Sequence, residues 1–100
     1  MIMIRITVKK ITIYNDLINE YEKPMLNACN IKLNQVFLTD GINKPDGLCD
    51  SAWDTMKPFI DSILNKKPLF KDWMKDESKA IVSCNDGFRP VSFLIEIIWQ

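Results

Sequence analysis

The sequence predicts an α+β fold: an antiparallel sheet with a C-terminal β-hairpin, covered on one face by one main helix. Three observations predict it. Isoleucine and valine alternate with polar residues near the start, a helical apolar stripe follows Asp50, and two β-rich runs flank an Asp-Gly pair near the end. With 100 residues, 47% hydrophobic and 26% charged, the chain has the size and composition of one domain spanning residues 1–100.

The first part of the chain is predicted to form a strand and a short helix. Residues 2–13 alternate in polarity, and the apolar positions change phase near Lys9, which indicates a bulge. Asn15 or Asp16 is suited to cap a short amphipathic helix, which Pro24 ends.

The middle of the chain is predicted to add a second strand and the main helix. Residues 35–39 are rich in β-formers, and residues 40–48 have the glycine and proline content of a loop. The main helix begins near Asp50 and continues to Leu64, with apolar residues on one stripe. Pro58 lies inside it and predicts a kink or two helices meeting there.

The last element is predicted to be a hairpin with strands at residues 80–85 and 88–98. Asp86 and Gly87 separate the two apolar runs and supply the positive φ angles that a tight turn requires. The second strand is apolar on both faces, which is typical of a strand in the middle of a sheet or in an interface.

Two registers of this hairpin agree with the sequence. A two-residue turn at Asp86 and Gly87 places Cys84 opposite Arg89, so that a thiol lies beside a guanidinium. A three-residue loop with a bulge at the glycine places Arg89 opposite Ser83 instead.

Charge and composition exclude several classes of function. The chain has 13 basic and 13 acidic residues, so neither nucleic acid nor a membrane is an expected partner. It has no histidine, which leaves carboxylate, thiol and amine chemistry. No signal peptide or transmembrane run is recognisable, and three cysteines, an odd number, favour a reducing compartment, so we expect a cytoplasmic protein.

The cysteines are the strongest candidates for a functional site. Cys49 lies at the start of the main helix, where free amide groups and the helix dipole favour a thiolate, although a small residue packing there is the structural alternative. Cys84 is either a thiol whose thiolate Arg89 favours or a buried strand cysteine. In a cysteine site, Arg89 and Asp86 are expected to tune the thiols. Three thiols from separate segments are suited to bind zinc or iron, or to act in redox chemistry: Cys29, Cys49 and Cys84.

Two further functions agree with the sequence. One is a non-catalytic interaction module, in which the apolar C-terminal strand and Trp99 form a homodimer or bind a partner protein. The other is a carboxylate-based enzyme that uses Asp46, Asp50 and Asp86, although aspartates at caps and turns have structural reasons to be there.

Two motifs resemble those of a family of small uncharacterised bacterial and archaeal proteins, and the resemblance covers nearly the whole chain. They are P-x-G-x-C-x-x-A-W, which begins at Pro45, and C-x-D-G-x-R-P-V-x-F, which begins at Cys84. The chain departs from the family at Asn30 and Asn34, where the family has proline and glycine. The resemblance implies no activity, but it implies that three cysteines are family features: Cys29, Cys49 and Cys84.

Overall fold

Two helices and four strands make up the fold in the computed structural model, which describes residues 2–24, 30–67 and 72–99. The predicted α+β class is confirmed. In chain order the elements are β1 (Met3–Ile11), α1 (Asn15–Tyr21), β2 (Val36–Thr39), α2 (Asp50–Leu64), β3 (Lys79–Ser83) and β4 (Val91–Trp99).

The four strands form one antiparallel sheet in the order β2, β1, β4, β3. The central strands are therefore the first and the last along the chain. The position of β4 between β1 and β3 agrees with the prediction that a strand apolar on both faces lies in the middle of the sheet.

The core lies between one face of the sheet and α2. Alternate residues of β1 point into it, and Ile4, Ile6 and Val8 are at most 1% exposed. The helix contributes side chains at helical spacing to the same cluster. Its buried residues are Ala52, Trp53, Met56, Ile60 and Ile63.

The predicted bulge in β1 is confirmed. Val8 pairs with Phe93, whereas Lys10 pairs with Ser92, so one residue of β1 is extra between them. The extra residue moves the apolar side chains from even to odd sequence positions, as the sequence pattern indicates.

The short helix α1 differs from the prediction by one residue at its start. Its N-cap is Tyr14, which makes no side-chain capping hydrogen bond, whereas Asn15 is already helical. None of its described side chains is buried. A helix of this length without a buried face depends on its flanking contacts for stability.

Pro58 lies inside α2 without dividing it, so the alternative of two helices is wrong. Met56 and Ile60, on either side of the proline, are fully buried in the core. Their packing stabilises the helix at the point where Pro58 cannot donate a backbone hydrogen bond. The Pro58 carbonyl accepts a hydrogen bond from Ser62 Oγ at 2.9 Å.

The loop between β3 and β4 is longer than either predicted register allows. The Cys84 amide donates to the Val91 carbonyl at 3.0 Å, so the loop spans residues 85–90. Both predicted pairings of Arg89, opposite Cys84 and opposite Ser83, are therefore wrong. Ser83 instead lies opposite Ser92.

Two loop residues explain the longer connection. The Asp86 carboxylate accepts hydrogen bonds from the amides of Phe88 (2.8 Å) and Arg89 (3.0 Å), which folds the loop around its own side chain. Pro90 has no N–H and cannot donate to β3. Gly87 does not adopt a positive φ, so the tight turn that an Asp-Gly pair predicts is not formed.

Asp40 gives the loop after β2 an expected dependence on pH. Hydrogen bonds from the amides of Asn43 and Ile42, and from the Asn43 side chain, hold the pKa of this carboxyl below its ordinary value. Its contribution to stability is therefore present above the carboxyl pKa of the unfolded chain, and it is lost as the pH falls through the lower folded pKa.

We expect Asp40→Asn to make the free energy of unfolding less dependent on pH in the acid range, because the amide cannot ionise. Urea unfolding of both proteins, at neutral pH and at pH values around the carboxyl pKa, measures this. Equal acid sensitivity in the two proteins would contradict the expectation.

Candidate thiol site

A pocket of about 240 Å³ lies between the start of α2 and the end of the β3–β4 hairpin. Four of the five predicted site residues line it, namely Cys49, Cys84, Asp86 and Arg89. Cys29, the fifth, lies outside the described residues. The remaining walls are Ile31, Ser51, Ala52, Val91 and Phe93. We call this the thiol pocket.

Cys49 occupies the N-cap position of α2 and is exposed to solvent. Its backbone is extended, and its carbonyl accepts the first hydrogen bond of the helix from the Trp53 amide at 3.1 Å. The sulfur makes no capping hydrogen bond and lies 3.6 Å from Ser51 Oγ. The thiol is therefore accessible at a helix end whose free amides and dipole favour anionic groups.

A lysine adds positive charge beside this helix end. Lys44 Nζ lies 3.3 Å from the Asp50 carboxylate and donates a hydrogen bond to the Leu48 carbonyl. Lys44 therefore contacts the residues on both sides of Cys49, through the Leu48 carbonyl and the Asp50 carboxylate.

Cys84 is the last residue of the hairpin ladder before the loop, and it is half-buried. Its sulfur accepts a hydrogen bond from the Val91 amide at 3.3 Å. Its carbonyl instead accepts from Ser83 Oγ at 2.9 Å. In a regular ladder the Val91 amide would donate to the Cys84 carbonyl. Here the Cys84 sulfur accepts this hydrogen bond instead, so the sulfur points toward β4.

Arg89 makes its strongest contacts away from the two thiols. Its guanidinium donates to both carboxylate oxygens of Glu22, from Nη1 at 2.9 Å and from Nη2 at 2.7 Å. These hydrogen bonds, with the charges of Glu22 and Asp86, raise the pKa of Arg89 above its ordinary value. Arg89 therefore joins the end of α1 to the hairpin loop and forms one wall of the pocket.

Glu22 is the residue of this region that the sequence did not reveal. It lies 67 residues from Arg89, and no local pattern distinguishes it from the other glutamates in the sequence. Its side chain is only 11% exposed in the structure. Two parallel N–H···O bonds make this a geometrically specific pair.

The predicted carboxylate group does not assemble at the thiol pocket. Asp46 lines a different pocket, between the end of β2 and the following loop. Asp50 pairs with Lys44, and the Asp86 carboxylate is used by two amides of its own loop. These contacts give Asp50 and Asp86 structural roles.

The described residues give no support to the predicted zinc or iron site. Within residues 2–24, 30–67 and 72–99, no three Cys, Asp or Glu side chains are grouped closely enough to hold a metal ion. A site that includes Cys29 stays a prediction, because that residue lies outside these ranges.

Comparison with protein-family models, with curated proteins and with solved structures gives no match to this chain. The family resemblance of the two motifs therefore stays a prediction. None of the helices in the described parts of the chain has the length and apolarity that a membrane span requires.

Proposed function

We propose that the thiol pocket is a dithiol redox site, in which Cys49 and Cys84 reduce a small disulfide substrate. The observation that carries the proposal is that two cysteines from distant segments, one on a helix end and one on a hairpin, line a single pocket. Both are free thiols.

The different surroundings of the two thiols give them different roles. Cys49 is exposed at the helix end, so it is the thiol that meets the substrate first. Cys84 is half-buried with its sulfur hydrogen-bonded to the Val91 amide, so it is the thiol that completes the reaction.

The reaction proceeds in two exchanges. The Cys49 thiolate attacks one sulfur of the substrate, forms a mixed disulfide and releases the other half as a thiolate. The Cys84 thiolate then attacks the Cys49 sulfur, forms the protein disulfide and releases the second half. The substrate gains two electrons and the two protons lost by the cysteines, and a small dithiol reductant returns the protein to its starting state.

The walls of the pocket indicate the kind of substrate. Ile31, Ala52, Val91 and Phe93 are apolar, and a volume of about 240 Å³ admits only a small molecule or one side chain of a larger one. The site therefore favours a compact disulfide with apolar substituents.

We expect treatment with a small aromatic disulfide to convert the protein, purified without oxygen, to a form lighter by two hydrogen atoms. Peptide mapping should locate the new disulfide between Cys49 and Cys84. In Cys84→Ser the reaction should stop at the mixed disulfide on Cys49, because the second thiol is missing. In Cys49→Ser it should be much slower, because the remaining thiol is half-buried.

The matched control is the double variant Cys49→Ser/Cys84→Ser, in which Cys29 is the remaining cysteine. The amount of mixed disulfide that it forms is the background due to Cys29 and is subtracted from the result for the unmodified protein. A disulfide that includes Cys29 in the unmodified protein, or mixed disulfides that never resolve, would contradict the proposal.

Elemental mass spectrometry of the same preparation tests the metal alternative. Stoichiometric zinc or iron, released when the thiols are blocked, would replace the redox proposal by a metal site and would require Cys29 or another further ligand. Metal-free protein with reactive Cys49 supports the redox proposal.

The same proposal implies a reducing compartment, such as the cytoplasm. Cys49 and Cys84 are both unpaired, and a dithiol that acts as a reductant needs surroundings that regenerate it.

A further inference from the structure

The face of the sheet opposite α2 carries exposed apolar side chains. In the part of the chain that the structure describes, no element packs on this face, which we call the open face. Four large apolar residues on it, from all strands except β1, are between 38% and 52% exposed: Val36, Leu38, Ile81 and Ile98. A sheet face of this kind is typically covered by another layer.

One end of the open face has an apolar hollow of about 280 Å³ lined by Met3, Leu38, Ile98 and Trp99. A register shift near the end of β4 pairs Trp99 with Met3. Trp99 is 66% exposed. The apolar surface therefore extends from β2 to the last residue of β4.

A line of charged residues crosses the middle of the open face. Arg5 of β1, Glu96 of β4 and Lys79 of β3 lie side by side in the ladder. Glu96 accepts from Arg5 Nε at 3.1 Å and Nη2 at 2.9 Å, and it lies 3.4 Å from Lys79 Nζ. The Glu96 side chain is only 12% exposed. Charges that are already paired within the chain cost less to bury than single ones.

We infer that the open face binds the open face of a second copy of this chain, about a two-fold axis parallel to the strands between β1 and β4. Such an interface uses the same surface on both subunits. It forms a two-layer sandwich of sheets, whose strands remain nearly aligned.

The charges select this axis. A rotation about it exchanges β1 with β4, so Arg5 lies over the partner's Glu96, and Glu96 lies over the partner's Arg5. A two-fold axis along the line of charges would instead place each charged residue over the same residue of the partner, for example Arg5 over the partner's Arg5. Like charges in contact oppose association. The chosen axis is therefore complementary in charge without any further residue.

The apolar residues also match under this rotation. The next row of the ladder is Val36, Thr7, Leu94 and Ile81 from β2 to β3. The rotation places Val36 over the partner's Ile81 and Thr7 over the partner's Leu94. At the outer strands, Leu38 lies over the partner's Lys79, whose alkyl chain can cover it.

The first experiment is the mass of the full chain in solution, measured by sedimentation equilibrium over a dilution series. We expect a dimer, with twice the monomer mass of 11.6 kDa, at high protein concentration. A monomer at every concentration would overturn the inference.

Substitutions at Leu38 test the position of the axis. Leu38→Lys places two lysines together across the interface and should raise the dissociation constant on the order of 100-fold. Leu38→Glu places a carboxylate over the partner's Lys79 and should weaken the dimer much less. Ile42→Lys, at an apolar residue that is 74% exposed in the loop after β2, is the matched control and should leave the dimer unchanged.

A mixing experiment tests the pairing directly. Arg5→Glu and Glu96→Arg should each be monomeric, because each places like charges across the axis. Mixed together, they should form a heterodimer, because Glu at position 5 of one chain then lies over Arg at position 96 of the other. Circular dichroism of each variant shows that it is folded. Homodimers that persist in the single variants, or folded variants that do not associate on mixing, would overturn the inference.

Discussion

Replacing Phe93 with alanine is expected to lower the free energy of unfolding by about 3–5 kcal/mol, the cost of truncating a fully buried phenylalanine. Phe93 is 0% exposed and is the third residue of β4, with Val8 and Val82 as cross-strand neighbours. The change removes the ring from beneath α2 and leaves a cavity that the flanking strands cannot fill. Urea unfolding followed by circular dichroism measures the loss.

The matched control for this variant is Ile42→Ala, at a side chain that is 74% exposed, where a change within about 0.5 kcal/mol is expected. Phe93 also lines the thiol pocket, so its truncation should speed the labelling of Cys84 by thiol reagents. A loss of stability no larger than that of the control would show that Phe93 does not have the buried position described above.

Gly41→Ala is expected to destabilise the protein by about 1–3 kcal/mol, because it combines backbone strain with a core clash. Gly41 has a φ of +88°, in the region that side chains disfavour. A Cβ atom there would lie 2.9 Å from Leu64 Cδ1 and 3.0 Å from Ile4 Cδ1. Differential scanning calorimetry and urea unfolding measure the effect.

Two other glycines separate the strain from the clash. Gly47 has a φ of +87°, but its nearest contact for a Cβ atom is Phe37 Cε1 at 3.7 Å, so Gly47→Ala should cost only the strain, about 1–2 kcal/mol. Gly87 has no positive φ and no atom within 4 Å of such a Cβ atom, so Gly87→Ala should change stability by less than about 0.5 kcal/mol. A large loss at Gly87 would contradict the loop geometry described for residues 85–90.

Local patterns in the sequence were sufficient for the class of fold. The alternation in β1 reflects one strand face in the core, and the change of phase near Lys9 reflects a real bulge. The apolar stripe of α2 likewise marks the residues that the core buries. These features depend on periods of 2 and 3.6 residues, which a single segment carries by itself.

The hairpin shows where local patterns fail. The Asp-Gly pair predicts a tight turn, but the loop also contains Pro90, which cannot donate to a ladder, and Arg89, which binds Glu22. The Glu22 contact stabilises the longer loop from a segment 67 residues away. Competition between a local turn preference and a distant ion pair depends on the three-dimensional fold, so the sequence of the loop did not decide it.

The candidate site was likewise predictable only in part. Cys49 was expected at a helix start, and the structure has it at the N-cap of α2. That Cys49 and Cys84 line the same pocket depends on how α2 crosses the sheet, which no pattern in the sequence specifies. The role of Arg89 changed most, because the carboxylate that it binds was not among the candidates.

The strand order has a consequence for the synthesis of the chain. Arg5 and Glu96 bond across a separation of 91 residues, and β4 is the neighbour of both β1 and β3. Closing so long a loop is entropically costly, and topologies dominated by such pairings fold slowly. A ribosome must synthesise all the residues up to β4 before the sheet can close, so the isoleucines of β1 stay exposed to chaperones and to aggregation until then. Val91 and Phe93 line the thiol pocket and are synthesised after Cys49. In a nascent chain Cys49 is therefore exposed before the pocket exists, and no pocket wall restricts which molecules react with its thiol.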